Sequence, residues 1–157
     1  MKEKKDSPGV YFPPPLLYVL TFFLSILVQR FIPLSMAFFN SEIAGIAGKI
    51  WIGIAVALVL PALIRFFRTK NTVILIKPAN SLQTAGIYSF TRNPMYLGLL
   101  ILYMGIAFHI GNWWTFMLVP ILILIVNRFV IRNEEEYLER AFGKDYLEYK
   151  NRVRRWI

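Results

Sequence analysis

The chain has 157 residues, of which 57% are hydrophobic and only 17% are charged. A soluble domain is about 45–50% apolar and about 25% charged, and a chain this short cannot bury so much apolar surface in one core. These proportions exclude a disordered chain and argue against a soluble globule. The lack of cysteine excludes disulfides and thiolate nucleophiles, and a single histidine, His109, gives little basis for a metal site, so we predict none.

The first two apolar stretches predict two membrane-spanning helices. Residues 16–28, extended to the region of residue 31, form the first, and residues 43–67 form the second. Each approaches the roughly 20 apolar residues that cross a bilayer. We therefore assign residues 1–12 to a lead-in and residues 13–67 to two spans.

A third apolar stretch, residues 95–131, is long enough for two short helices. The pair Gly111-Asn112 near its middle is typical of a turn. Each helix would have about 16–19 residues, which is close to the lower limit for a span. Residues 68–94 then form the loop that precedes them.

The basic residues predict the orientation of these helices. The net charge is +9, and sixteen of the eighteen Lys and Arg residues fall on one side, leaving Arg30 and Lys49 on the other. Loops rich in Lys and Arg face the cytoplasm. We expect both termini and the 68–94 loop to be cytoplasmic, in the cell inner membrane if the source is bacterial. Nucleic acid is not needed to explain the charge, and we predict no nucleic-acid partner.

The final segment, residues 132–157, has a different composition. Charges become dense, while apolar residues recur at steps of three or four and so share one helical face; they are Leu138, Phe142, Tyr146, Tyr149 and Val153. Gly143 is a candidate break, so the segment is one amphipathic helix or a pair, lying on the bilayer or capping the bundle. The predicted fold is a single all-α integral membrane domain, residues 1–157, with about four transmembrane helices and a cytoplasmic amphipathic C-terminal segment.

The first candidate cluster occupies residues 84–98. A helix start explains Asn93 as its cap and Pro94 as its first residue, and close helix packing explains Gly98. These roles leave Arg92, Tyr88 and Tyr96 unexplained. An arginine beside a helix N-terminus makes an anion site, although Arg92 is equally explained as a positive-inside anchor.

The second candidate cluster occupies residues 127–136 and contains three successive carboxylates, Glu134, Glu135 and Glu136. A helix N-terminus favours such charges, and Arg132 has the spacing to pair with Glu136. The functional alternative is that one carboxylate faces inward and binds an ammonium, a hydroxyl pair or a substrate cation. His109, beside Trp113 and Trp114, is interpreted as an interfacial anchor with no catalytic role.

Together the two clusters resemble a family of integral-membrane methyltransferases that includes isoprenylcysteine carboxyl methyltransferases and phospholipid N-methyltransferases. The matched pattern is Gly86-x-Tyr88-x-x-x-Arg92-Asn93-Pro94-x-Tyr96-x-Gly98, then Asn112, then Glu134-Glu135-x-x-Leu138-x-x-x-Phe142-Gly143-x-x-Tyr146-x-x-Tyr149-x-x-x-Val153. It covers roughly residues 84–156, nearly half of the chain. The family often has His where this chain has Asn93, and the first two spans match only in hydropathy.

This resemblance implies a methyltransferase that uses S-adenosylmethionine in a pocket facing the cytoplasm. The residues it assigns to cofactor binding are Tyr88, Arg92, Asn93, Pro94, Tyr96, Gly98, Glu134 and Glu135, with Arg92 and Glu135 as the most sensitive, catalytic positions. We expect Glu135→Gln to weaken cofactor binding while folding stays intact. The chain has no glycine-rich dinucleotide motif after a strand, which separates it from Rossmann-fold methyltransferases.

The expected reaction is a direct in-line methyl transfer to a hydrophobic or lipid-like small molecule that carries a carboxylate, amine or thiol. Such an acceptor would enter from the membrane lipid between helices. Two alternatives are a small four-helix transporter and a non-catalytic membrane assembly subunit. Intramembrane ionisable residues usually mark transport pathways. The predicted spans have none deep in their interiors, and this absence disfavours the transporter alternative.

Overall fold

The structure is a computed structural model that describes residues 8–10, 13–68, 79 and 81–157. Its helices are α1 (Pro14–Phe31), α2 (Glu42–Arg68), α3 (Pro94–Ile110), α4 (Trp113–Met117), α5 (Val119–Val126) and α6 (Arg132–Arg152). Short 3₁₀ turns lie at Ala37–Asn40 and Gly86–Ser89, and a π-helical turn at Asn127–Ile131 joins α5 to α6. No strand occurs among the described residues, which confirms the predicted all-α class.

Proline and glycine set the limits of the helices as the sequence predicts. Pro94 is at the first position of α3, where its missing N–H costs no hydrogen bond. Gly111 ends α3 with a left-handed φ of 73°. The side chain of Asn112 then accepts a hydrogen bond from the Trp114 amide, and so caps α4. The turn predicted at Gly111-Asn112 is therefore confirmed.

Three helical stretches of the described chain are long and apolar enough to cross a membrane: Pro14–Phe31, Glu42–Arg65 and Trp113–Arg152. The apolar part of the last stretch precedes the charge-rich α6. Helix α3, predicted as a further span, has 17 residues and is shorter than the others. Many large apolar side chains of α1, α2 and α5 are exposed, as contact with lipid requires.

Helices α2 and α3 pack closely because glycines on α3 lack side chains at the contact. A Cβ on Gly98 would lie 2.3 Å from Val59 Cγ2, and a Cβ on Gly105 would lie 2.9 Å from Ile52 Cγ1. Small residues allow this approach of two helix backbones in lipid. Gly98 therefore faces α2, which agrees with its predicted packing role.

The opposite side of α3 packs against α1 and α5. Its core contains Tyr18 of α1, Leu100 and Tyr103 of α3, and Leu122 and Val126 of α5. Because these side chains are closely packed in one core, the rotation of α3 about its own axis is fixed. The residues at the start of α3 are consequently held in one orientation toward α6.

The amphipathic stripe of α6 is confirmed as a packing face. All five of its predicted residues are buried or partly buried in a cluster with Ala62, Tyr88 and Met95, so this face packs against the bundle. Gly143 has φ 53° and ψ −123°, values that interrupt helical geometry. The predicted break is therefore real, and α6 is a pair of helices joined at a kink.

Parts of two predicted regions lie outside the described residues. They are residues 1–7 and 11–12 of the lead-in, and residues 69–78 and 80 of the loop between the second and third helices. The described part of that loop, residues 81–93, leads directly into α3.

Gly98→Ala should destabilise the bundle, because Val59 is β-branched and cannot easily move its methyl group away. We expect a loss of about 1–3 kcal/mol in the free energy of unfolding, the range for overpacking. Thermal unfolding in detergent measures this loss. Gly45→Ala is the control, since a Cβ there would meet no other helix within 4 Å. Adding Val59→Ala should restore part of the loss, and equal stability of the two single variants would contradict this packing.

Candidate active site

Three segments meet at one end of the bundle. They are the stretch from the 3₁₀ turn to the first turn of α3 (residues 86–96), the first turn of α6, and the residues that follow α6. The chain holds the sequence-predicted side chains there because α3 is fixed by its core and α6 by its stripe. The two predicted clusters, far apart in the sequence, are therefore neighbours.

Arg92 is the centre of this region. Its side chain is only 10% exposed, and its Nη1 atom lies 3.2 Å from Glu135 Oε1. The same Nη1 donates to the hydroxyl of Tyr146 at 3.4 Å. A guanidinium buried to this extent requires a counter-charge, which Glu135 supplies.

Glu135 is buried between two guanidiniums. Its side chain is 9% exposed, and Arg155 binds both of its oxygens, with Nε at 3.0 Å from Oε1 and Nη2 at 2.6 Å from Oε2. These hydrogen bonds raise the pKa of Arg155 above its usual value, so it stays charged. The sequence did not single out Arg155, because it lies in a run of basic residues explained by topology.

Glu134 has a different environment from its neighbour. Consecutive helical residues point about 100° apart, as 3.6 residues per turn dictates. The Tyr96 hydroxyl donates to Glu134 Oε2 at 2.9 Å, and Tyr18 in turn donates to the Tyr96 carbonyl at 3.0 Å. Glu134 therefore faces the start of α3, while Glu135 faces Arg92 and Arg155.

Tyr88 completes the aromatic side of the site. The Tyr149 hydroxyl donates to its carbonyl at 2.7 Å, which ties the 3₁₀ turn to α6. Burial raises the pKa of the Tyr88 hydroxyl well above its usual value, and the Glu134 carboxylate raises it further. The Tyr88 hydroxyl is therefore expected to keep its proton at neutral pH.

The predicted capping role of Asn93 is wrong for its side chain. Asn93 Nδ2 donates to the Arg155 carbonyl at 2.9 Å instead of the side chain accepting from the first turn of α3. The reason is that the segment after α6 brings the Arg155 carbonyl, which also accepts from Thr91 Oγ1, within reach of the Asn93 amide. The Asn93 backbone carbonyl still accepts from Leu97 at 3.0 Å, so the helix begins where predicted.

A small cleft opens between these side chains. It is lined by Tyr88, Arg92, Asn93, Pro94, Met95, Tyr96 and Glu134. Its volume is about 20 Å³, room for one water, whereas ligand pockets are typically about 300–1,000 Å³. The cleft as described is therefore too small for a cofactor unless its lining side chains move.

Most, but not all, of the predicted site residues line this cleft. Gly98 packs against α2 and Glu135 lies behind Arg92, and neither is among the lining residues. Met95 is a lining residue that the sequence did not indicate, because a methionine at the start of an apolar helix is normally a packing residue.

The cleft combines a guanidinium, a carboxylate and two phenol rings. Arg92 Nε is buried, with no hydrogen-bond partner in the described part of the chain, and buried polar atoms of this kind usually have one. A ligand that carries both a negative and a positive group fits this arrangement. No cluster of three or more metal-binding side chains occurs in residues 8–10, 13–68, 79 and 81–157.

Comparison with known proteins gives the family context. The sequence profile of the phospholipid methyltransferase family matches residues 43–145. Protein-S-isoprenylcysteine O-methyltransferases of Schizosaccharomyces pombe and Saccharomyces cerevisiae are 33% and 34% identical over 72 and 84 residues. Each alignment covers 46% of this chain but only 30% of the yeast protein.

A shorter relative comes from Haemophilus influenzae. It is 44% identical over 63 residues, which cover 40% of this chain and the whole of that protein. No solved structure matches the chain significantly.

The burial of Glu135 changes what its substitution should do. Glu135→Gln leaves Arg92 and Arg155 without a counter-charge, and breaking a buried pair costs about 3–5 kcal/mol. We therefore expect lower stability in chemical or thermal unfolding. Glu136→Gln is the matched control: its pair with Arg132 has both side chains about half exposed and contributes about 0–1 kcal/mol. Equal unfolding midpoints for the two variants would contradict a buried role for Glu135.

Proposed function

This chain belongs to the phospholipid methyltransferase family, and we propose that it transfers a methyl group from S-adenosylmethionine to a hydrophobic or lipid-like acceptor. Membership of this family, together with the apolar helices, supports a membrane methyltransferase over the transporter and assembly-subunit alternatives. The observation that carries the proposal is the cleft between Arg92 and Glu134, where a guanidinium and a carboxylate face one small space.

The residues around the cleft fit this cofactor. Arg92 has a buried, unpaired Nε–H, and a guanidinium binds a carboxylate such as that of the cofactor's amino-acid part. Glu134 would hold the ammonium or the ribose hydroxyls. The rings of Tyr88 and Tyr96 provide negative faces for a sulfonium cation.

S-adenosylmethionine, when bound, supplies an electrophilic methyl group on a positively charged sulfur. The protein's own contribution is to hold donor and acceptor in line and to exclude water, which alone lowers the barrier substantially. The protonated phenol of Tyr88 and the hydroxyl of Tyr96 serve as hydrogen-bond donors or polar walls. No protein nucleophile is needed for a direct displacement.

We assign different roles to the two carboxylates. Both oxygens of Glu135 contact guanidiniums, and Glu135 is not among the residues that line the cleft, so we propose that it orients Arg92. Glu134 uses one oxygen for Tyr96 and lines the cleft. We therefore propose that Glu134 makes the cofactor contact predicted for the pair, and that Glu135 acts through Arg92.

Binding of a cofactor in this cleft requires the lining side chains to move apart. Met95 has three rotatable side-chain bonds and no polar group, so its rotation costs little. Lipid-facing helices on both sides give an apolar acceptor a dry route to the same end of the bundle. A carboxylate, amine or thiol acceptor is compatible with the charges present, and we propose that transfer takes place at the cytoplasmic face.

The cofactor prediction is tested by binding to detergent-purified protein. Wild-type protein should bind S-adenosylmethionine in isothermal titration, and Arg92→Lys should weaken binding about tenfold or more because lysine lacks the bidentate fork. Glu134→Gln should weaken it comparably. Arg132→Lys, on the exposed part of α6, is the matched control and should bind normally.

The same preparations, with a methyl-labelled cofactor and a total lipid and metabolite extract, identify the acceptor. Label should appear in an apolar product with wild-type protein and be lost with Arg92→Lys. Folded wild-type protein that binds no cofactor would overturn the proposed function.

The orientation is tested separately in cells. The excess of basic residues at the Arg92 end predicts that this end faces the cytoplasm. Epitope tags at both termini should resist protease added outside intact cells and become sensitive after permeabilisation. Cleavage of either tag in intact cells would show that the orientation is wrong.

A further inference from the structure

Residues 153–157, which follow α6, run beside residues 91–93, and we call this segment the strap. Three hydrogen bonds join the two: Arg92 N–H to the Arg154 carbonyl at 3.0 Å, Thr91 Oγ1 to the Arg155 carbonyl at 3.2 Å, and Asn93 Nδ2 to the Arg155 carbonyl at 2.9 Å. The backbone that carries the central arginine of the site is therefore held by the strap as well as by α3.

Side chains anchor the strap at two further points. Arg155 binds Glu135 through two hydrogen bonds, of 3.0 and 2.6 Å. The indole N–H of Trp156 donates to Asn127 Oδ1 at 3.1 Å, at the start of the π-helical turn. These anchors attach the strap to the first turn of α6 and to the end of α5.

Arg92 and Arg155 share one carboxylate unequally. Arg155 makes two contacts with Glu135, while Arg92 makes one, at 3.2 Å through Nη1. Arg92 Nε stays without a hydrogen-bond partner in the described residues, and Arg92 lines the cleft. Without Arg155, both oxygens of Glu135 would be available to Arg92, and a bidentate pair is the geometry a guanidinium and a carboxylate prefer.

We propose that Arg155 is a positioning residue: by occupying Glu135, it keeps the Arg92 guanidinium available to the cofactor's carboxylate in the cleft. This inference rests on the proposed function, since it assumes that Arg92 binds the cofactor. Arg155 itself does not line the cleft and acts only through Glu135 and the strap.

The test compares Arg155→Ala, Arg155→Lys and Arg152→Ala. Arg152 is an exposed cation at the end of α6 outside the strap, and its replacement is the charge-matched control. Two readouts are measured: the Kd of S-adenosylmethionine, together with its KM and kcat, and hydrogen exchange of the Arg92 amide, which donates to the strap.

Arg155→Ala should raise Kd and KM about tenfold or more, as loss of a charge-assisted hydrogen bond predicts, with kcat changed much less. Exchange at Arg92 should speed up about tenfold, while the amides of α2 and α3 keep their wild-type rates. Arg155→Lys should fall between wild type and Arg155→Ala, because it keeps the charge but loses the fork. Arg152→Ala should match wild type.

Unchanged affinity and unchanged Arg92 exchange in Arg155→Ala would overturn the proposal, as would faster exchange with normal affinity. If Arg155→Ala unfolds, the same two readouts are measured on Arg155→Lys. Wild-type cofactor affinity together with wild-type exchange of the Arg92 amide in Arg155→Lys would overturn the proposal. If wild-type protein binds no cofactor, the proposed function fails. In that case, the hydrogen-exchange rate of the Arg92 amide alone tests whether the strap positions Arg92. An unchanged rate in Arg155→Ala would overturn that positioning role.

Discussion

The ion pair between Arg92 and Glu135 is the interaction on which the rest of the site depends. It joins the start of α3 to the first turn of α6, and both side chains are about nine-tenths buried. The Arg92 charge depends on Glu135, because a lone buried charge is strongly unfavourable, whereas Glu135 is also paired with Arg155. Once the pair is formed, the helical turn between consecutive residues directs Glu134 to another side of α6, where it meets Tyr96 and the cleft.

Around this pair, packing and polar contacts have separate tasks. Close contact of α2 with α3 and the core shared by α1, α3 and α5 set the position of Arg92, while the aromatic stripe of α6 sets that of Glu135. The contacts of Glu135 with Arg92 and Arg155 then leave Arg92 Nε without a hydrogen-bond partner in the described residues. In the direct transfer that we propose, the protein holds two reactants in line, a task that requires no protein nucleophile.

Much of this fold can be predicted from the sequence, because its signals are local. Runs of apolar residues define the helices, Pro94 and Gly111 limit α3, and Gly143 breaks α6. The spacing of apolar residues gives the packed face of α6. The meeting of the two polar clusters could be expected only from resemblance to a family.

The remaining features depend on contacts between distant segments. Asn93 has the sequence of a helix cap, yet its side chain binds the Arg155 carbonyl, which no local pattern foretells. Glu134 and Glu135 are identical in type and adjacent, so only the rotation of α6 distinguishes them. Ultraviolet cross-linking of methyl-labelled S-adenosylmethionine, followed by peptide mapping, tests whether the cofactor binds between Arg92 and Glu134. We expect label within residues 84–98 or at the start of α6. Label confined to other peptides, or none on folded protein, would show that the cofactor does not bind there.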